Sequence, residues 1–142
     1  MATPDPNDKQ TRLLLAVLAK VETVDLLKSV VLGRLEHFNH ERPAAGIIPV
    51  IDEEKRASKT HNVSDLDILI RLLADEDDDK AGIELSMAVY DVKQAMKNGG
   101  DRTWGGLCND FFPGAVKWLY VDAQLPRAGA DLEYRFHYQL EP

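Results

Sequence analysis

The chain has 142 residues, 44% of them hydrophobic, with a formal net charge of −7 and one cysteine, which suits one domain with a sizeable core and excludes two full ones. Lysine and arginine total 17 against 24 aspartates and glutamates, so the basic excess that neutralises phosphates is missing, and an anionic membrane surface repels such a chain as well. Cys108 cannot form an internal disulfide, and nothing in the sequence supplies a zinc quartet.

The opening Met1-Ala-Thr-Pro-Asp-Pro lacks the charged and apolar segments of a secretion signal, and no apolar run reaches the roughly 20 residues that span a bilayer. Synthesis and folding in the cytosol are therefore expected. Residues 1–7 are expected to be flexible, with Asn7 or Asp8 able to cap a helix. From Lys9 to about Val21, the residues Leu14, Val17, Leu18 and Val21 recur at three- and four-residue steps and predict a first amphipathic helix. The second half of residues 24–35, with Val30, Val31 and Leu32 before Gly33, favours a strand because of its β-branched content. Residues 37–43 read as a polar loop.

Residues 44–51 carry Ile47, Ile48, Val50 and Ile51 and predict a strand, which Pro49 pushes toward an edge or a bulge because proline cannot donate a ladder hydrogen bond. Residues 52–62 hold high charge and little apolar content, which predicts a mobile, solvated loop. In residues 65–73, Leu66, Ile68, Ile70 and Leu72 alternate with a mixed face, as a half-exposed strand requires. The acidic run Asp75, Glu76, Asp77, Asp78 and Asp79 precedes a second helix over residues 81–97, with Leu85, Val89, Val92 and Met96 on its core side. Carboxylates there oppose the positive end of the helix dipole, Lys93 and Lys97 the negative end, and Asn98-Gly99-Gly100 supplies the stop. An irregular segment is predicted over 101–114, a strand over 116–121, a turn over 123–129, and a last strand over 131–140. In that strand Leu132, Tyr134, Phe136, Tyr138 and Leu140 alternate with polar residues. The expected fold is a single α+β domain spanning 1–142, a largely antiparallel or mixed sheet with two helices packed on one face.

Chemistry-bearing patterns are few. An EF-hand register starting at Asp75 puts Lys80 where the sharp turn needs glycine and Ser86 where a bidentate Glu is required, so helix-start electrostatics explain the run better than calcium does. His37, His40 and Glu41 lack a helical pattern that would bring both imidazoles to one face, and His61 and His137 are expected to face solvent. Cys108 has Asn109 and Asp110 as neighbours rather than a base in an electropositive setting, and reads as a small filler. Neither Gly99-Gly100 nor Gly105-Gly106 has the strand-to-helix context of a phosphate cradle. No catalytic residue, metal ligand or cofactor is assigned, and an enzyme is not expected.

The order of elements, with a Thr103-Trp-Gly-Gly-Leu107 segment after the second helix and the final strand Leu132-Glu-Tyr-Arg-Phe-His-Tyr138, resembles the tail terminator family of long-tailed bacteriophages, also called minor tail or tail completion proteins. The resemblance covers about residues 8 to 140. Trp104 is bulkier than expected before the glycines, and the 123–129 connection is short. What it implies is a structural role without turnover. Copies of the chain form a ring, usually hexameric, that caps the tail tube, ends its polymerisation and offers a surface to the head-tail connector or neck protein. DNA passes through the ring without specific binding, no membrane is involved, and the protein resides in the virion after assembly in the host cytoplasm. On this reading Asp52, Glu53, Glu54, Lys55, Arg56 and Lys59, with Arg135 and His137 on the last strand, are candidate interface residues, and the run from Asp75 to Asp79 is a candidate lumen lining. Three rivals stand beside it: a neck or head-completion protein of the same virion, a ligand-binding domain or enzyme whose pocket joins Trp104, His137 and the acidic run, and an adaptor that pairs through its sheet edge.

Overall fold

A computed structural model describes residues 3–6, 8–33, 43–56, 62–75, 79–121 and 127–140. Helix α1 spans Lys9–Glu22, and Asp8 caps it by accepting from the Thr11 backbone N–H at 3.0 Å. Strands β1 (Ser29–Leu32), β2 (Ala44–Arg56) and β3 (Asn62–Asp75) follow, then α2 (Asp79–Met96), a short turn of 3-10 helix over Asn98–Gly100, β4 (Asp110–Val121) and β5 (Arg127–Leu140). The strands form one sheet in the order β1-β2-β3-β5-β4, in which β1 pairs with β2 in parallel and all other pairs are antiparallel. This is the expected α+β class with a mixed sheet.

Both helices cover the same face. Leu66, Ile68, Ile70 and Leu72 of β3 and Leu132, Tyr134, Phe136 and Tyr138 of β5 are buried, as period-two alternation dictates, and join one cluster with α1 and α2. Helix α1 packs over β1 and β2, and α2 over β3 and β5. From α1 the cluster takes Leu13, Val17 and Val21, with Leu14 and Leu18 partly buried, so the apolar stripe is turned slightly from the one expected. From α2 it takes Leu85, Ala88, Val89, Val92 and Met96.

Several boundaries differ from the sequence reading. The charged segment predicted as a loop is largely strand: β2 runs on to Arg56 and pairs with β3 down to Asn62, so residues 57–61 alone of the hairpin tip lie outside the described residues. Charge misled there because Asp52 is held by the Tyr138 hydroxyl (3.2 and 3.3 Å) and the buried Ser64 hydroxyl, and β5 flanks β3 along its whole length. The strand expected over 116–121 begins at Asp110 and crosses a bulge between Pro113 and Val116, and β5 starts at Arg127 inside the predicted turn, of which 123–126 lie outside the described residues. Pro49 sits at a bulge between Pro49 and Ile51, just past the last β1 pairing at Ile47. Strand β2 is therefore interior at its start and, among the described residues, a sheet edge at Pro49, where a missing N–H costs no ladder bond.

Candidate functional site

The second sheet face is open, and strand register arranges its side chains in rows. One row runs Glu53–Asp65–His137–Asp110 across β2, β3, β5 and β4; the next runs Ile51–Asp67–Arg135–Phe112. Farther along, Leu69 faces Glu133, and Arg71 and Lys117 flank Asp131 from either side. Ion pairs bridge the central strands: Asp65 lies 2.7 Å from His137 Nδ1, Arg135 binds Asp67 in a fork at 2.7 and 3.0 Å, and Arg71 binds Asp131 at 2.8 and 3.0 Å. At the β4 margin Lys117 reaches Glu133 at 3.5 Å and Arg102 binds Asp110 at 2.9 Å. Two-point geometry fixes Arg135 to Asp67 and Arg71 to Asp131, whereas Arg102 divides its bonds between Asp110 and the Phe111 carbonyl.

Between the charged pairs, Val50, Ile51 and Phe112 are about half exposed, at 56%, 51% and 45%. The bulge at Pro49 sets Val50 and Ile51 side by side, and Arg102 stands 5.9 Å from the Phe112 ring centre. Val50, Ile51 and Phe112 line, with Asp67, Arg135 and His137, a groove of about 840 Å³ over the sheet. A second exposed apolar strip lies on α2, where Ile83, Met87 and Tyr90 are 60%, 51% and 63% exposed. Their spacing of four and three places them on one side of the helix, opposite the buried Leu85, Val89, Val92 and Met96. The chain thus carries exposed apolar strips at opposite poles.

Asn98 and Trp104 adopt positive φ, as do Gly99, Gly100, Gly105 and Gly106. The Asp101 carboxylate gathers the second of these turns: it accepts from the Thr103 hydroxyl (2.7 Å), the Thr103 N–H (3.0 Å) and the Gly105 N–H (2.9 Å), and these bonds lower its pKa. Trp104 is thereby turned into the core, edge-on to Phe111 and Phe136 at 5.6 and 5.4 Å. Cys108 is buried beside it; burial first, and then Asp101 and Asp110, push its thiol up to about 11. That setting opposes a thiolate nucleophile. Among the described residues no group of three or more His, Cys, Asp or Glu side chains is arranged to hold a metal ion.

No protein-family model matches the chain, and no curated protein is significantly similar to it.

Strand register separates the sequence-derived candidates by sheet face. Arg135, His137 and Glu53 meet on the open face, with both β5 residues paired to aspartates that sequence reasoning left unassigned. Asp52 turns to the other side, where it accepts from the Tyr138 and Ser64 hydroxyls, as its position opposite core-facing Leu66 dictates. Glu54 pairs across from Ser64, and Lys55 and Arg56 lie at the end of β2. Lys59, His37, His40, Glu41, His61, Glu76, Asp77 and Asp78 lie outside the described residues, while Asp75 ends β3 and Asp79 begins α2. The pocket that would join Trp104 and His137 does not form, because Trp104 is buried on the helix side and His137 lies on the open face. Sequence reasoning missed the α2 strip; the signal was Ile83, Met87 and Tyr90 recurring on the helix side away from the core. No described helix is long and apolar enough to cross a membrane.

Proposed function

We propose that the chain is a structural subunit of a bacteriophage virion that forms a ring, hexameric on the tail-terminator resemblance, at the end of the tail tube. Its task is to stop tube polymerisation and present a joining surface to the head-tail connector, with DNA passing through and no turnover. The observation that carries the reading is the pair of exposed apolar strips at opposite poles of one small subunit. A two-fold dimer covers only one such strip on each copy, whereas a head-to-tail contact that closes on itself covers both on every copy and leaves no free end. The element order and the Thr103–Leu107 and Leu132–Tyr138 segments supply the link to phage tails.

A neck or head-completion connector of the same virion is the second reading, because it rests on the same ring-forming surfaces and differs in the partner bound. Deleting the gene from its parent phage and imaging tails by negative-stain electron microscopy separates the two. Overlong tubes without heads are expected; tails of normal length that fail to join heads would move the protein to the neck, and intact infectious virions would overturn both.

A further inference from the structure

We infer that the exposed ridge of α2 on one copy seats in the open-face groove of the next. The occupant of the groove is thus a second copy of this chain, met through a surface other than its own groove. The inference deepens the ring reading and rests on it only for closure of the contact into a ring.

Charge along α2 is polarised. From its N-terminal end the helix exposes Glu84, then Met87 and Tyr90, then Lys93 and Lys97, with the partly exposed Asp91 on the same flank of the apolar ridge as Glu84 and the lysines on the other flank. Along β5 the groove presents Lys117 beside Asp131 and Glu133 at one end, the Ile51–Arg135–Phe112 row farther on, and Asp65 and His137 at the other end, where Glu53 and Asp110 continue the row past the groove's lining. Lys117 is 66% exposed although it approaches Glu133, so it remains open to a second carboxylate. At the far end three carboxylates meet one histidine and the Arg102 guanidinium, which leaves an acidic margin for Lys93 and Lys97.

The lengths agree. From Ile83 to Lys97 a helix rises about 21 Å, and the six-residue step from Asp131 to His137 covers about 20 Å of strand. A helix laid along β5 in this polarity sets Met87 and Tyr90 over Ile51 and Phe112 and brings Lys93 and Lys97 to the acidic end, while Glu84 meets the charge-balanced end that holds Lys117. Reversing the helix brings Glu84 onto the acidic row, so charge selects one direction.

Two full-length single variants, Met87→Cys and Ile51→Cys, test the contact by oxidative cross-linking; buried Cys108 stays in place as an unreactive background. Mixing the two is expected to give a disulfide dimer that neither gives alone, at a rate that falls as salt is added. In the same assay with these cysteines, Lys97→Glu should slow the mixed product and Glu53→Lys on the groove partner should restore it, a rescue that misfolding does not produce. A dimer from Ile51→Cys alone would show sheet faces meeting each other, and a dimer from Met87→Cys alone would show helix meeting helix. Either result, or no cross-link in any mixture, overturns the inference. Tail length in the deletion phage is read independently, so the contact and the terminator role can fail separately.

Discussion

Arg71 and Asp131 face each other across the two central strands, joined by two hydrogen bonds of 2.8 and 3.0 Å, and among the described residues they form the most enclosed ion pair of the open face, with side chains 25% and 11% exposed. Removing Asp131 strips the partly buried Arg71 of a carboxylate bound at two points. Asp131→Ala is therefore expected to cost about 2–3 kcal/mol in urea denaturation. Arg135, at 54% exposure, loses far less when its partner Asp67 is lost, and Arg135→Ala should cost under about 1 kcal/mol. Equal costs for the two variants would contradict this ordering.

The turn that inserts Trp104 depends on left-handed backbone at Gly105 (φ 71) and Gly106 (φ 85). A Cβ at either position meets no neighbour, so the cost of substitution lies in the backbone. Gly105→Ala and Gly106→Ala should each destabilise by about 1 kcal/mol. Gly114 differs: its φ is ordinary, but a Cβ would lie 3.1 Å from the Glu133 carbonyl oxygen. Gly114→Val should therefore disturb the β4–β5 bulge, visible as lost amide protection around Glu133, while Gly106→Ala leaves that protection intact.

Acid should weaken the domain through carboxylates held below their ordinary value of 3.8. Asp101 is lowered mainly by the Thr103 hydroxyl, Asp110 by Arg102, and Asp8 by the Thr11 N–H. Because the folded state releases these protons more readily than the unfolded chain, their contribution is complete above about pH 4 and is lost as pH falls through the lower folded values. Asp101→Asn should flatten that part of the stability profile in denaturation series run from pH 6 to pH 2.

At the alkaline end the sign is the reverse. Burial raises Tyr134 to about 12 and Cys108 to about 11, so their contribution is intact at neutral pH, begins to fall above about pH 9, and disappears as pH passes the folded values. The native thiol should react slowly with a disulfide reagent at pH 8 and at once in guanidinium chloride. Rapid native labelling would mean that the Trp104 turn opens often enough to expose Cys108.

Periodicity made the helices and the core strands legible. Leu85, Val89, Val92 and Met96 place α2, and the alternation from Leu132 to Tyr138 places β5, because burial on one side leaves a direct trace in residue type. The outer half of the β2–β3 hairpin was not legible. Its order comes from main-chain pairing and from Tyr138 reaching Asp52, a contact across 86 residues of chain. Open-face pairs such as Asp67 with Arg135 were hidden for the same reason: each residue alone reads as a solvated charge, and only register makes it a neighbour. The start of β4 was masked by Pro113 and Gly114, which read as loop formers but here sit at a bulge inside a strand.

The position of β5 between β3 and β4 governs the order in which the protein can be built. As the chain emerges during synthesis, among the described residues β3 has only β2 beside it, and β4 has no strand partner until residues 127–140 arrive. The sheet closes by insertion of its last strand, so the rows of the open face do not exist on an unfinished chain. A product that ends before residue 127 therefore has two helices and an unfinished sheet, with none of the cross-strand ion pairs that β5 brings.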